Sequence, residues 1–122
     1  MSDGNEKSSL EAGQERRRAR RLYKRFVLRV ALFEEKPLKW SHVTIHNLSS
    51  TGVLFTFDRQ VRQGMLLCLK IDFPDRVIEC LGRVVRMVGP PTALFRDVAV
   101  HIEGLSAADR SYVQEFVNKS PA

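Results

Sequence analysis

Hydrophobic and polar residues alternate along most of the chain, with the two-residue period of strands that bury one face. The pattern predicts six strands, at residues 26–33, 43–48, 53–57, 65–73, 77–88 and 98–102. Residues typical of turns separate these segments, among them Pro37, Gly64 and Pro90. The two longest strands are joined by Pro74-Asp-Arg76, the composition of a tight hairpin connection, so we expect them to pair in antiparallel fashion.

The period changes near the end of the chain, where a helix is predicted. Ser106 can cap the helix, and Asp109 stands three residues later, as in a capping box. A single apolar stripe follows, made of Tyr112, Val113, Phe116 and Val117. Six short strands and one helix predict an all-β fold, a six-stranded antiparallel barrel with a C-terminal α-helix, because closing the sheet removes exposed strand edges.

The positive charge of the chain is concentrated before the first strand. Residues 16–25 hold six arginines and one lysine without any acid, a charge of +7. The net charge of the whole chain is +6, so the remaining residues together carry about −1. A basic segment attached to a nearly neutral body predicts an anionic partner, with phosphate as the first candidate.

Composition divides the 122 residues into three parts. Residues 1–15 are polar, with one leucine, and are expected to be a disordered tail. Residues 16–25 are expected to be a flexible, arginine-rich ligand-binding arm. Residues 26–119 are expected to form the barrel domain with its helix, since 43% hydrophobic residues in the chain suffice for one core.

Several classes of function are disfavoured by the sequence. No apolar run is long enough for a membrane span, and the start of the chain does not look like a secretory signal, so we expect a cytoplasmic protein without membrane insertion. Cys68 and Cys80 lie in apolar stretches, and His42, His46 and His101 lie on strands without metal-ligand spacing. We expect no metal site, no cofactor and no enzymatic activity, because no catalytic grouping can be assembled from converging positions.

A second polar feature lies between the second and third predicted strands, at residues 47–52. The side chain of Asn47 can both donate and accept hydrogen bonds at a base edge, and Ser49 supplies a hydroxyl. Gly52 has no Cβ to obstruct a ligand. Arginine forks match both phosphate oxygens and the O6/N7 edge of guanine, so the two polar features together predict a nucleotide site.

These residues resemble the signature of the PilZ domain family, an RxxxR motif before the barrel and a [D/N]xSxxG motif on it. Arg21-Leu-Tyr-Lys-Arg25 fits the first motif, and Asn47-Leu-Ser-Ser-Thr-Gly52 fits the second. The resemblance spans residues 16–118 and implies cyclic di-GMP as the ligand, bound as one molecule or as a stacked pair. It implies that Arg21 and Arg25 bind phosphates and guanine edges, and that Asn47, Ser49 and Gly52 complete the site.

The register of the first motif is open, because Arg16 with Arg20 and Arg17 with Arg21 also fit RxxxR. We favour Arg21 with Arg25, since Arg25 directly precedes the first strand. The resemblance assigns Arg20 to the ligand site as well, because residues just before this motif accompany binding of two ligand molecules in the family. The arm is expected to fold over the ligand and so change the surface offered to a downstream protein.

Two other functions compete with a cyclic di-GMP receptor. One is a PilZ-like adaptor that has lost its ligand and acts by protein contacts alone. The other is a small barrel that binds RNA or DNA non-specifically through its basic arm, which the nearly neutral barrel disfavours. Such a binder would lose affinity steeply with salt and show no preference for a cyclic dinucleotide.

Overall fold

The computed structural model describes residues 26–119, which form a closed antiparallel barrel of six strands and one helix. The elements are β1 (Val27–Leu32), β2 (Ser41–Leu48), β3 (Gly52–Phe57), β4 (Leu66–Phe73), β5 (Arg76–Val88), β6 (Arg96–Glu103) and α1 (Ala107–Lys119). Around the barrel the order is β1-β2-β3-β6-β5-β4, and β4 pairs with β1 to close it. The predicted fold class is therefore confirmed, whereas the predicted tail and arm lie outside the described residues.

The core follows from the alternation read in the sequence. β4 alternates between buried and half-buried residues along its whole length, and β3 does the same. The largest fully buried side chains are Phe55, Phe57, Leu28, Leu67, Leu69, Ile71 and Ile78. Burial of side chains of this size stabilises a fold by about 1.5–3 kcal/mol each, so this inner face provides most of the driving force for folding.

Helix α1 covers one end of the barrel with the apolar stripe predicted for it. Its Val113 is fully buried, and Phe116 packs against Phe73 of β4 with ring centroids 4.8 Å apart. The Ser106 hydroxyl accepts a hydrogen bond from the Asp109 amide at 3.0 Å, which confirms the predicted cap. The helix is thereby held in position at its start by the cap and along its length by the core.

The hairpin between β4 and β5 is also as predicted. Phe73 pairs with Arg76, and the register runs without a shift to Leu66 opposite Arg83. This uninterrupted ladder contrasts with the two places where the barrel contains bulges.

Candidate functional site

Two β-bulges interrupt the barrel, one in β2 and one in β5. In β2, Ile45 pairs with Phe55 and Asn47 pairs with Leu54, so His46 is the extra residue. In β5, Val84 pairs with Val100 and Arg86 pairs with Ala99, so Val85 is the extra residue. A bulge of this kind reverses the faces of the residues that follow it.

The bulges determine where Asn47 and Arg86 point. Ile45 and Val84 face the core, so strict alternation would turn the residues two positions later inward as well. The extra residue turns Asn47 and Arg86 to the outer surface, and both are exposed. The next residues, Leu48 and Met87, return to the core.

The two bulges lie at the same level of the barrel and frame one row of outward side chains. Asn47 of β2 pairs with Leu54 of β3, which pairs with Ala99 of β6, which pairs with Arg86 of β5. Leu54 and Ala99 are half-buried, so the middle of the row is flat and apolar while each end is polar. We call these four residues the site row.

The segment after Asn47 forms a turn organised by Ser49. The Ser49 hydroxyl accepts hydrogen bonds from the amides of Thr51 at 3.2 Å and Gly52 at 3.1 Å. The Ser49 amide donates to the Gly52 carbonyl at 2.9 Å. The Ser49 hydroxyl itself donates to the Gly52 carbonyl at 3.4 Å, so Ser49 is a structural residue of the β2–β3 turn.

Gly52 is required by the packing of two backbones. A Cβ at this position would lie 2.8 Å from the carbonyl oxygen of Val100 on β6, well inside van der Waals contact. The sequence predicts clearance for a ligand at this glycine, but the neighbouring strand already requires it. The third fixed position of the motif thus serves the fold, whatever it also does for a ligand.

Ser50 connects the same turn to helix α1. Its hydroxyl donates to the Gln114 side chain at 3.0 Å, and its carbonyl accepts from the Arg110 guanidinium at 3.4 Å. Ser50 is buried, and Thr51 accepts a hydrogen bond from the Ile102 amide at 2.8 Å. The turn is therefore bound to both the barrel and the helix.

Polar contacts occupy the surface on both sides of the site row. On one side, Thr56 donates to Asp97 at 2.8 Å and lies 2.6 Å from the His46 ring nitrogen. On the other side, Arg83 donates to Glu103 at 2.9 Å. This hydrogen bond from Arg83 lowers the pKa of the Glu103 carboxyl below its usual value.

The first strand of the barrel, β1, pairs with β2, the strand that carries Asn47. Leu28 pairs with Val43, and antiparallel partners run in opposite directions. Phe26 directly precedes β1, which pairs with β2 on one side and with β4 on the other. Phe26 is held there by stacking on Phe73, with ring centroids 5.7 Å apart.

The predicted site residues therefore divide into three groups. Arg20, Arg21 and Arg25 lie outside the described residues, and their roles stay predictions. Asn47 is exposed on β2, which ends at Leu48 as the predicted strand does, so the motif begins on the strand and not in the connection after it. Ser49 and Gly52 adjoin it, and their measured contacts are with the backbone.

Sequence reasoning did not identify the site row as a unit. A signal for both bulges was present, since the inward-facing residues Ile45 and Leu48, and likewise Val84 and Met87, are three positions apart instead of two. The signal for a row across four strands was absent, because strand order and register are not local properties of the sequence.

Two further groups have shifted pKa values, Cys80 of β5 and Tyr112 of α1. Burial raises the pKa of the Cys80 thiol to about 11, with a further contribution from the nearby Asp109 carboxylate. Burial also raises the pKa of Tyr112 to about 12, together with its hydrogen bond to Asp75. Both groups are neutral at physiological pH, and the Tyr112 hydroxyl links α1 to Asp75 between β4 and β5.

Residues 26–119 contain neither a group of metal ligands nor a membrane-spanning helix. No three His, Cys, Asp or Glu side chains in this range are grouped as metal ligands. The one helix of the same range, α1, lacks the length and hydrophobicity needed to cross a bilayer.

Comparison with known proteins assigns the family. The family model for the PilZ domain matches residues 15–119. The chain belongs to the PilZ domain family. PilZ domains are binding and adaptor modules, generally without enzymatic activity, that bind cyclic di-GMP and interact with partner proteins.

A solved structure supports the fold independently. The Bacillus subtilis inhibitor of motility (MotI/DgrA) matches this PilZ domain with a TM-score of 0.59 and 21% sequence identity. The match covers 78% of this chain and 49% of that protein, so the chain spans about half the length of the solved relative. A search of curated proteins found no significant match.

Proposed function

We propose that this PilZ domain is a receptor for cyclic di-GMP, which binds across the site row and is held by Arg21 and Arg25 of the arginine-rich segment. One observation carries the proposal. The β2 bulge turns Asn47 outward, and β2 pairs with β1, the strand that follows the arginine-rich segment in the sequence.

The chemistry of the surface supports a guanine nucleotide. Asn47 offers an amide for hydrogen bonds to a base edge, and the apolar surface of Leu54 and Ala99 suits the face of a planar ring. Adjacent strands are about 4.8 Å apart, so the row spans roughly 14 Å from β2 to β5. The positive charge needed for two phosphates is supplied by residues 16–25.

The contacts of the turn suggest how binding is transmitted. The turn that follows Asn47 is hydrogen-bonded to α1 through Ser50 and Gln114. A ligand that orders the arginine-rich segment over the site row changes the surface at this end of the barrel. Its output is then a change in the surface that a downstream protein contacts, as the family's role as binding and adaptor modules suggests.

The test is calorimetric titration of cyclic di-GMP into the wild type and into an Arg21→Ala/Arg25→Ala variant, at two salt concentrations. Linear diguanylate and GTP serve as controls. We expect saturable binding of the cyclic ligand alone and its loss in the variant, with the stoichiometry separating one ligand from a stacked pair. Absence of heat with wild-type protein would overturn the proposal.

A second candidate, the ligand-free adaptor, is favoured by one feature of the surface. Leu94 and Phe95 in the loop between β5 and β6 are 81% and 63% exposed, and Val88 at the end of β5 is half exposed. Exposed apolar patches of this kind are typical of protein contact sites. A protein that acts through this loop without a ligand would show no binding in the titration described above.

A further inference from the structure

Arg86 has no role in the two sequence motifs, yet the barrel places it in the site row. It lies on β5, at the far end of the row from Asn47, and its neighbour in the row is Ala99. The preceding residue, Val85, is the bulge that turns it outward. Bulges are frequent beside functional sites, where they redirect a side chain.

The coincidence of two bulges at one level is the first argument for a ligand role. Each bulge interrupts a ladder and leaves one residue unpaired. Here both flank the same pair of strands, β3 and β6, and both bring a polar side chain to the same row. The arrangement produces an apolar strip with a hydrogen-bonding group at each end.

Arg86 and Arg83 lie on the same strand but differ in their hydrogen-bond and ion-pair partners. Arg83 is fully engaged, with its guanidinium donating to Glu103 at 2.9 Å and to the Gly64 carbonyl at 2.9 Å. Arg86 is exposed and forms no ion pair or side-chain hydrogen bond within residues 26–119. Its five donors are therefore available to a ligand.

We propose that Arg86 binds the O6/N7 edge of a guanine that lies on Leu54 and Ala99, and so makes the site selective for guanine. This inference rests on the proposed function and identifies the residue that reads the base. The guanidinium fork matches two acceptors side by side, which guanine presents and adenine does not. Ala99, with its small side chain, lets the ring approach the strand closely.

The experiment compares Arg86→Ala, Arg86→Lys and the control Arg62→Ala, which removes an exposed arginine from the loop between β3 and β4. Each protein is titrated with cyclic di-GMP and with cyclic di-AMP. We expect Arg86→Ala to bind cyclic di-GMP roughly tenfold to a hundredfold more weakly, the discrimination of one bidentate arginine contact. Arg86→Lys should recover only part of this loss, because lysine keeps the charge without the fork.

The ratio of the two affinities separates base reading from a general loss of charge. In Arg86→Ala the preference for the guanine ligand should fall by the same factor, while Arg62→Ala keeps both affinity and preference. If wild type binds and Arg86→Ala retains its affinity and preference, the role of Arg86 is wrong and the receptor function stands. If wild type binds neither ligand, both proposals are overturned.

Discussion

The two sides of the barrel differ in whether their outward-facing charged side chains form ion pairs. On the outer surface of β1, β4 and β5, Arg29 lies 3.8 Å from Asp72, and Lys70 lies 3.9 Å from Glu79 and 4.6 Å from the Trp40 ring centroid. We call these residues the paired face. On the opposite side, the site row has Arg86 without an ion pair within residues 26–119.

On the paired face the charged groups already have partners, whereas the site row offers polar groups that a ligand can bind. Charges on the paired face neutralise one another across adjacent strands, whose ladder continues without a bulge. The site row is built with two bulges and leaves its polar ends unpartnered by the barrel. The four predictions below test whether this contrast reflects function.

The largest effect is expected for Gly52→Ala, which would disturb the support of the site row. The new Cβ would lie 2.8 Å from the Val100 carbonyl, so β3 and β6 must separate. We expect a loss of about 2 kcal/mol in the free energy of unfolding, a common cost of overpacking. Urea denaturation measures it, with Thr51→Ala as the control at about 0.5 kcal/mol. An unchanged midpoint would show that the strands tolerate separation here.

Next in size is Ala99→Leu, which fills the apolar middle of the site row. The larger leucine side chain would keep the ligand from lying against β6. We expect a loss of roughly tenfold in affinity, the effect of one ill-fitting methylene group in a binding pocket. Calorimetry with cyclic di-GMP measures this effect. The control is Val77→Leu, which adds bulk at a half-exposed position of β5 and should leave binding unchanged. If Ala99→Leu and Val77→Leu bind cyclic di-GMP with equal affinity, the ligand does not contact the site row.

A smaller effect is expected for Arg29→Ala on the paired face. The ion pair with Asp72 is partly exposed, so its loss should change the free energy of unfolding by less than about 1 kcal/mol. Affinity for cyclic di-GMP should stay at the wild-type value, in contrast to Arg86→Ala. A weakened affinity in calorimetry would show that the ligand responds to charge anywhere on the barrel.

The smallest effect is expected on the pH dependence of stability, for a change at Glu103. This residue accepts a hydrogen bond from Arg83 beside the site row. The folded-state pKa of Glu103 is lowered, so its stabilising contribution is present above its ordinary value of 4.5 and is lost as pH falls through the folded value. In thermal melts across pH 3 to 6, the melting temperature of Glu103→Gln should therefore fall less on acidification than that of the wild type. Asp58→Gln is the control, and an unchanged acid limb in Glu103→Gln would contradict the assignment.

Several elements follow directly from the order of residues. The alternation around Leu67, Leu69 and Ile71 predicts a strand and its inner face, because the two-residue period is local. The cap at Ser106 and the hairpin at Pro74–Arg76 are likewise local, since a hydroxyl three residues before an amide and a proline turn need no distant partner.

The candidate site was predictable only in part. Asn47, Ser49 and Gly52 are recognisable as a motif, but their structural positions differ from the simplest reading, since Ser49 organises a turn and Gly52 accommodates the backbone of β6. Their separate tasks depend on what lies opposite them, which no spacing within the motif reveals. In the sequence, nothing distinguishes Arg86 from other exposed arginines. Only the pairing of β5 with β6 places it beside Ala99 in the site row.

The barrel class, the helix and its cap, the concentration of positive charge before β1 and the family motif are all recognisable without a structure. These properties depend on residues close together in the chain, where periodicity and composition are sufficient. The common row of Asn47, Leu54, Ala99 and Arg86, by contrast, becomes visible only from the pairing of the strands. The reason is that pairing register joins residues far apart in sequence, and a single bulge exchanges the inner and outer faces of every residue after it.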